Sequence, residues 1–106
     1  MKTTTGCRAR VYIGGSDRWH GTTLYVAIVQ EARRRGIAGA TVERGIMGYG
    51  AASVIHEPHL FRLSSDLPIV VELVDSTDKI QGFLPILQGM VGSGMITVAD
   101  VGVVRF

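Results

Sequence analysis

The order in which apolar residues change their spacing is the feature that most constrains the fold of this chain. Apolar and polar side chains alternate over residues 8–14, apolar residues recur at helical spacing over 24–32, and alternation returns over 40–44. The same succession of strand, helix and strand is repeated within residues 67–106. The order βαββαβ is typical of a four-stranded antiparallel sheet with both helices on one face. Residues 1–106, the length of one domain, are therefore predicted to form a single ferredoxin-like α+β domain.

Both predicted helices have recognisable ends. Threonine at position 22 or 23 can cap the first helix, and Gly36 is its expected stop. The three arginines at 33–35 fall in the last turn, where the helix dipole favours cations. The second helix is expected to begin at the cap formed by residues 75–77 and to be kinked or shifted by Pro85.

The last two strands lead to a prediction about assembly. Residues 67–74 (LPIVVELV) are almost continuously apolar, so strand three is predicted to be buried on both sides. Strand four changes its apolar phase between Val98 and Val101, which predicts a bulge or a break near Asp100. Two helices cover one face of such a sheet, and an apolar face left open usually marks an interface. We therefore predict a homo-oligomer, a closed ring or a symmetric dimer.

Composition argues against several classes of function. The formal net charge is only +2 and the basic residues are dispersed apart from 33–35, so no nucleic-acid partner is expected. No apolar run reaches the roughly 18 residues of a membrane span. The single cysteine, Cys7, precedes a segment that would bury it, which fits a reducing cytoplasm. No nucleophile has an evident base, so we predict no enzymatic activity.

A glycine-punctuated segment, residues 44–50 (RGIMGYG), follows strand two directly. Its glycines allow close approach of a ligand, and backbone N–H groups there could cradle an anion such as phosphate. A tight turn at the strand end would explain the same residues. Residues 47–66 are predicted to form a long loop. The later segment 92–94 (GSG) is by itself best explained as a helix C-cap and turn.

Four functional side chains follow one another at residues 17–20 (DRWH), before the first helix. Arg18 could clamp a phosphate or carboxylate, Trp19 could stack on a planar ligand, and His20 could titrate near neutral pH. The alternative is a solvated connecting loop in which Trp19 packs on the core or on a neighbouring subunit.

A metal site has one candidate, the segment His56-Glu57-Pro58-His59. Two histidines and a carboxylate could ligate zinc or copper. Pro58 breaks helical continuity there, and no cysteine or third histidine is near in sequence, so a polar loop is the alternative.

Six segments together match the pattern of a known family: residues 12–14 (YIG), 16–21 (SDRWHG), 39–42 (GATV), 44–50 (RGIMGYG), 63–68 (LSSDLP) and 83–85 (FLP). On these segments the chain resembles the bacterial and archaeal domain-of-unknown-function family number 190, a branch of the PII-like superfamily.

Two segments are also similar to the PII signal-transduction proteins. Residues 40–50 resemble their strand two and the base of their T-loop, and residues 92–98 resemble their B-loop and the strand after it. In PII proteins these segments meet across a subunit boundary of a homotrimer and hold an adenine nucleotide. The resemblance therefore implies a trimer whose loop 47–66 contacts a target protein. The B-loop lysine is replaced by Met95, and no T-loop tyrosine aligns within 51–66. Replacement positive charge is available from Arg18, Arg44 and Arg62.

The resemblance thus implies a PII-like regulatory protein with a small anionic or nucleotide effector, such as an adenine nucleotide, and no resident cofactor or metal. The association of family members with fluoride-exporter genes implies a membrane transporter as the target. The alternative is a CutA-like trimer that binds a divalent metal through His56, Glu57 and His59, with His20. The candidate ligand-binding residues are Arg44, Gly48, Tyr49, Gly50, Gly92, Ser93 and Gly94, with Asp17, Arg18 and His20 beside them.

Overall fold

The computed structural model describes residues 1–49, 67–92 and 94–106. Four strands lie side by side in an antiparallel sheet in the order β4, β5, β1, β6, and a short hairpin, β2–β3, precedes the first helix. This arrangement confirms the predicted ferredoxin-like α+β fold. The elements in chain order are β1 (Lys2–Gly14), β2 (Arg18–Trp19), β3 (Thr22–Thr23), α1 (Leu24–Arg34), β4 (Gly39–Arg44), β5 (Pro68–Asp75), α2 (Thr77–Val91) and β6 (Met95–Arg105).

The core lies between the two helices and one face of the sheet. Val11 of β1 and Val71 of β5 are paired and fully buried, and Ile28 of α1 and Ile80 of α2 are buried with them. Each large apolar side chain withdrawn from water in this way contributes about 1.5–3 kcal/mol. The predicted stripe of the first helix is confirmed, because its buried residues are Leu24, Ala27, Ile28 and Ala32.

Helix α1 ends as the sequence predicted. Gly36 adopts a φ of 78°, the left-handed conformation of a helix-terminating glycine. Arg34 and Arg35 each approach Glu31 to 2.6 Å. Their hydrogen bonds, that of Arg34 first, lower the pKa of Glu31 to about 2.

Helix α2 begins at the predicted cap. The Ser76 hydroxyl accepts a hydrogen bond from the Lys79 amide at 3.4 Å, and the helix continues through Pro85 to Val91. Within the described residues, neither helix is long and apolar enough to cross a bilayer.

The N-terminal strand is longer than predicted. Strand β1 begins at Lys2 rather than Arg8, and among the described residues 2–6 pair only with 101–105 of β6. The two strands therefore extend beyond the sheet as a ribbon, which we call the β1–β6 ribbon. The predicted bulge near Asp100 is wrong, because the β1–β6 register is continuous. The apolar phase changes because Val98 pairs opposite Ala9 on the helix side, whereas Val101 lies on the other side.

Strand β5 is buried on one side only, which corrects the prediction of burial on both. Ile69, Val71 and Leu73 face the helices and are buried, whereas Val70 and Val74 on the opposite side remain partly exposed. That opposite side, which we call the open face, is not uniformly apolar either. It carries the charged side chains of Arg8, Arg10 and Glu72 beside the partly exposed Val70 and Val74.

Cys7 is buried as predicted, at the edge of the core where β1 meets Asp75 of β5. Burial, and secondarily the nearby Asp100 carboxylate, raises the pKa of this thiol. The thiol therefore serves as a small core side chain.

Gly6 marks the point where the β1–β6 ribbon leaves the sheet, and its replacement tests this geometry. A Cβ there would lie 2.8 Å from both the Asp75 backbone oxygen and Val103 Cγ2. Because backbone must move to make room, Gly6→Ala should lower the free energy of unfolding by about 1–3 kcal/mol in urea denaturation. Gly89→Ala is the control: a Cβ on this helical glycine meets nothing within 4 Å. Gly89→Ala should raise the free energy of unfolding by up to about 1 kcal/mol, because alanine favours the helix more than glycine does. A Gly6→Ala protein as stable as wild type would contradict the close approach.

Candidate functional site

One end of the sheet brings together segments that the sequence singled out. Strands β4 and β1 end there, and β5 and β6 begin there, because neighbouring strands are antiparallel. The glycine-punctuated segment after β4 lies at this end. So does Gly94, which precedes β6. A cleft of about 240 Å³ lies at this end of the sheet.

The described residues that line the cleft are uncharged. Its side chains include the rings of Tyr12 and Tyr49 and the thioethers of Met47 and Met95, and Tyr49 is 83% exposed at its mouth. Aromatic rings and thioethers suit a planar apolar group better than a multiply charged one. The described lining residues are Tyr12, Ile13, Gly45, Met47, Gly48, Tyr49, Pro68, Ile69, Val70 and Met95.

Gly45 allows the chain after β4 to pass closely over Pro68. The Gly45 amide donates to the Pro68 carbonyl at 2.8 Å, and a Cβ on Gly45 would lie 3.2 Å from Pro68 Cγ. The corresponding distance for Gly48 is 3.5 Å. This close passage carries Met47 and Tyr49 to the cleft. The Gly45 amide is already used within the chain, so that group does not bind an anion.

The structure places only some of the predicted ligand residues at the cleft. Gly48 and Tyr49 line it, and their contact with a ligand stays a prediction. Arg44 ends β4 opposite Ile69, on the helix side of the sheet, and is not among the lining residues. Gly50 and Ser93 lie outside the described residues.

Gly92 and Gly94 line a different depression, a groove of about 310 Å³ between α2 and β6. Gly92 has a φ of 69° and its amide donates to the Gln88 carbonyl at 3.1 Å, so it caps α2 as the structural alternative predicted. Tyr49 therefore follows β4 and Gly94 precedes β6, at the two edges of the sheet. Met95, the residue after Gly94, nevertheless lines the same cleft as Gly48 and Tyr49.

The segment 17–20 forms part of a hairpin rather than an irregular loop, which corrects the prediction. Arg18 pairs with Thr23 and Trp19 with Thr22. His20 and Gly21 form the turn with φ values of 49° and 80°, the positive values that a two-residue hairpin turn requires.

The side chains of this hairpin make contacts with the end of β1, within the hairpin and with the core. Asp17 Oδ2 accepts from the Gly14 amide at 3.0 Å, and the Arg18 guanidinium donates to the Gly21 carbonyl. Trp19 packs on the core, and its ring stacks on that of His20 with centroids 4.0 Å apart. Trp19 therefore packs as the structural alternative proposed, while ligand contact by Asp17, Arg18 and His20 stays a prediction.

The residues predicted to bind a metal, 56–59, fall outside the described residues, and so does Arg62. In the part of the chain that the structure describes, no group of three histidine, cysteine or carboxylate side chains is arranged to hold a metal ion.

Sequence reasoning missed Tyr12 and Pro68 as cleft residues and considered Met95 only as a replaced lysine. The available signal for Tyr12 was its position on the polar side of an alternating strand, at the strand's end. Its proximity to Tyr49 depends on sheet order, which local spacing does not encode.

Solved structures define the class of fold. A putative PII-like signalling protein from Thermus thermophilus aligns with a TM-score of 0.68 and 20% identity, covering 99% of this chain and 95% of that chain. A second structure is that of CPII, a nitrogen regulatory PII-like protein from Thiomonas intermedia K12, bound to ADP, AMP and bicarbonate. It aligns with a TM-score of 0.62 and 22% identity, covering 98% of this chain and 92% of that chain. The chain has the PII-like fold.

Sequence comparison gives the family within that class. The model of DUF190, described as "Uncharacterized ACR, COG1993", matches residues 6–103. A UPF0166 protein of Aquifex aeolicus is 39% identical over 95 residues, 90% of each chain. A UPF0166 protein of Methanocaldococcus jannaschii is 38% identical over 92 residues, 86% of this chain and 84% of the relative. This protein belongs to the DUF190 family, as its resemblance predicted.

The hairpin contact of Asp17 can be tested separately from any ligand. Asp17→Ala should lower the free energy of unfolding by about 1–2 kcal/mol, because the buried Gly14 amide loses its acceptor. Asp17→Asn keeps an acceptor oxygen, so it should lower the free energy of unfolding by less than Asp17→Ala does. Urea denaturation of both variants without added ligand measures the difference, and an Asp17→Ala protein of wild-type stability would contradict the anchoring role.

Proposed function

We propose that this protein is a PII-like regulator that binds a small anionic or nucleotide effector in clefts between the subunits of a homotrimer. Effector binding would control the contact of loop 47–66 with a target protein, for which the family resemblance suggests a membrane transporter. The observation that supports this function is the cleft at the end of the sheet, lined by Gly48 and Tyr49 next to the start of that loop. Ligand and target sites so close together are readily coupled.

The chemistry of the cleft favours the base of a nucleotide. Tyr12 and Tyr49 offer ring surfaces, and stacking of one base on an aromatic side chain is worth about 1–3 kcal/mol. Met47 and Met95 add polarisable apolar contacts. The described lining residues carry no charge, so phosphate groups would reach cations beyond them, with Arg44 and Arg18 as the candidates.

Placement of the two glycine segments supports a site shared between subunits. Tyr49 lies beyond β4 at one edge of the sheet, and Gly94 precedes β6 at the other edge. A second copy with its β6 edge beside the first copy's β4 edge would bring the two segments together. The partly exposed Val70 and Val74 on the open face also favour coverage by other copies.

A thermal-shift screen tests this function. We expect ADP or AMP to raise the melting temperature by several degrees at saturating concentration, because binding to the folded state adds its free energy to stability. Bicarbonate, inorganic phosphate, zinc and copper complete the panel. Tyr49→Ala should abolish the shift without lowering basal stability, since the ring is exposed, and Arg44→Ala should weaken it. Arg33→Ala, an exposed arginine of α1, is the matched control and should respond as wild type.

Three outcomes would contradict the proposal. No response to any nucleotide or anion would remove the effector site. An unchanged response in Tyr49→Ala would place binding elsewhere. A response to zinc or copper alone would favour the CutA-like metal function.

A further inference from the structure

Most of the positive charge in the described residues lies at the end of the sheet opposite the cleft. Strand β5 ends there, α2 begins there, and α1 ends shortly before β4 begins there. The β1–β6 ribbon extends beyond the same end. From Cys7 to Gly14, strand β1 separates the two ends of the sheet by roughly 20 Å. The cationic side chains on these distant parts are Lys2, Arg33, Arg34, Arg35, Lys79 and Arg105.

The described cations closer to the cleft already have partners, with one exception. The Nε atoms of Arg8 and Arg10 lie 3.8 Å and 3.5 Å from the same Glu72 oxygen. The Arg18 guanidinium donates to a backbone carbonyl of its own hairpin turn. Arg44 is exposed and makes no ion pair with the described residues, and the residue after it lines the cleft. Among the described residues, Arg44 is therefore the one uncommitted cation beside the cleft.

The edge that a second copy would bring to the cleft is also uncharged. That edge is β6, and the described residues lining its groove against α2 carry no charge; they include Gln88, Val91 and Gly94. Both described walls of the proposed effector site are thus neutral. A phosphate that leaves water for a neutral wall loses hydration without gaining a charged partner, which is unfavourable.

We infer that the cleft selects nucleosides and nucleoside monophosphates over the corresponding diphosphates and triphosphates. This inference rests on the proposed effector site and names its class of ligand. The rings of Tyr12 and Tyr49, with the thioethers beside them, supply the contacts with the base. Arg44 supplies a partner for a single phosphate. Each further phosphate adds charge that the described walls do not neutralise, so it adds no affinity.

A series of ligands that differ only in phosphate number tests this selectivity. Adenosine, AMP, ADP and ATP would be titrated into the untagged oligomer by calorimetry, without divalent metal and at low and high salt. The dissociation constant of adenosine should lie within about tenfold of that of AMP, because a single exposed ion pair contributes little. ADP and ATP should bind no more tightly than AMP. Salt should leave the affinity for adenosine unchanged, since no charge takes part in its binding.

Two results would overturn the selectivity. One is tighter binding of ADP or ATP than of AMP. The other is adenosine binding more than about tenfold more weakly than AMP, which would make the phosphate the main determinant of affinity. If none of the four ligands binds, the effector site itself is overturned, and this result distinguishes failure of the proposed function from failure of the selectivity.

Substitution of Met95 tests the physical cause. Met95 lines the cleft and is 43% exposed, so a longer polar side chain has room there. Met95→Lys adds a cation to the lining and should make ATP bind more tightly than AMP. Met95→Gln, similar in length but uncharged, is the matched control and should change the affinities for all four ligands in the same proportion. A Met95→Lys protein that keeps the wild-type order, or a Met95→Gln protein that also prefers ATP, would overturn the neutral lining as the cause. Thermal melting without ligand verifies that each variant is folded.

Discussion

The pairing of β1 with β5 is the interaction on which the rest of this structure depends. Its register runs from Cys7 opposite Asp75 to Gly14 opposite Pro68. Three alternate pairs place apolar side chains under the helices: Ala9–Leu73, Val11–Val71 and Ile13–Ile69. Burial enforces this register, because a slip of one residue would turn the apolar set of each strand to the other face. Both helices lie on the same side of the sheet. The open face and the edges formed by β4 and β6 are therefore left for contacts with other molecules.

The same antiparallel register determines where a ligand can bind. It gathers two strand ends and two strand starts at one end of the sheet, and the close passage over Pro68 places Tyr49 there opposite Tyr12. It also places Gly94 at the opposite edge from Tyr49. A second copy with its β6 edge beside this β4 edge would add its own Gly94 to the cleft, so the proposed effector site and the proposed assembly support each other.

Elements that bury one face could be predicted from the sequence, because burial imposes the apolar period. The helices and the inner halves of β1 and β5 follow this rule. The β1–β6 ribbon does not follow it, since no described helix covers the ribbon. Val98 and Val101 therefore lie on opposite faces of one continuous strand, and the apolar period is broken without a bulge. The polar start of the ribbon at residues 2–5 shows no alternation, and only the β propensity of threonine signalled a strand. Local chemistry identified Gly48 and Tyr49, whereas Tyr12 joins them through sheet order, and the side on which Arg44 lies follows from strand pairing.

The effector site is proposed to be complete only where two copies meet. Native mass spectrometry of untagged protein with ADP, over a dilution series that populates both monomer and oligomer, tests it most directly. The account predicts up to one nucleotide per chain on the oligomer and ligand-free monomers. Monomers that bind ADP as tightly as the oligomer does, or an oligomer that binds none, would contradict it.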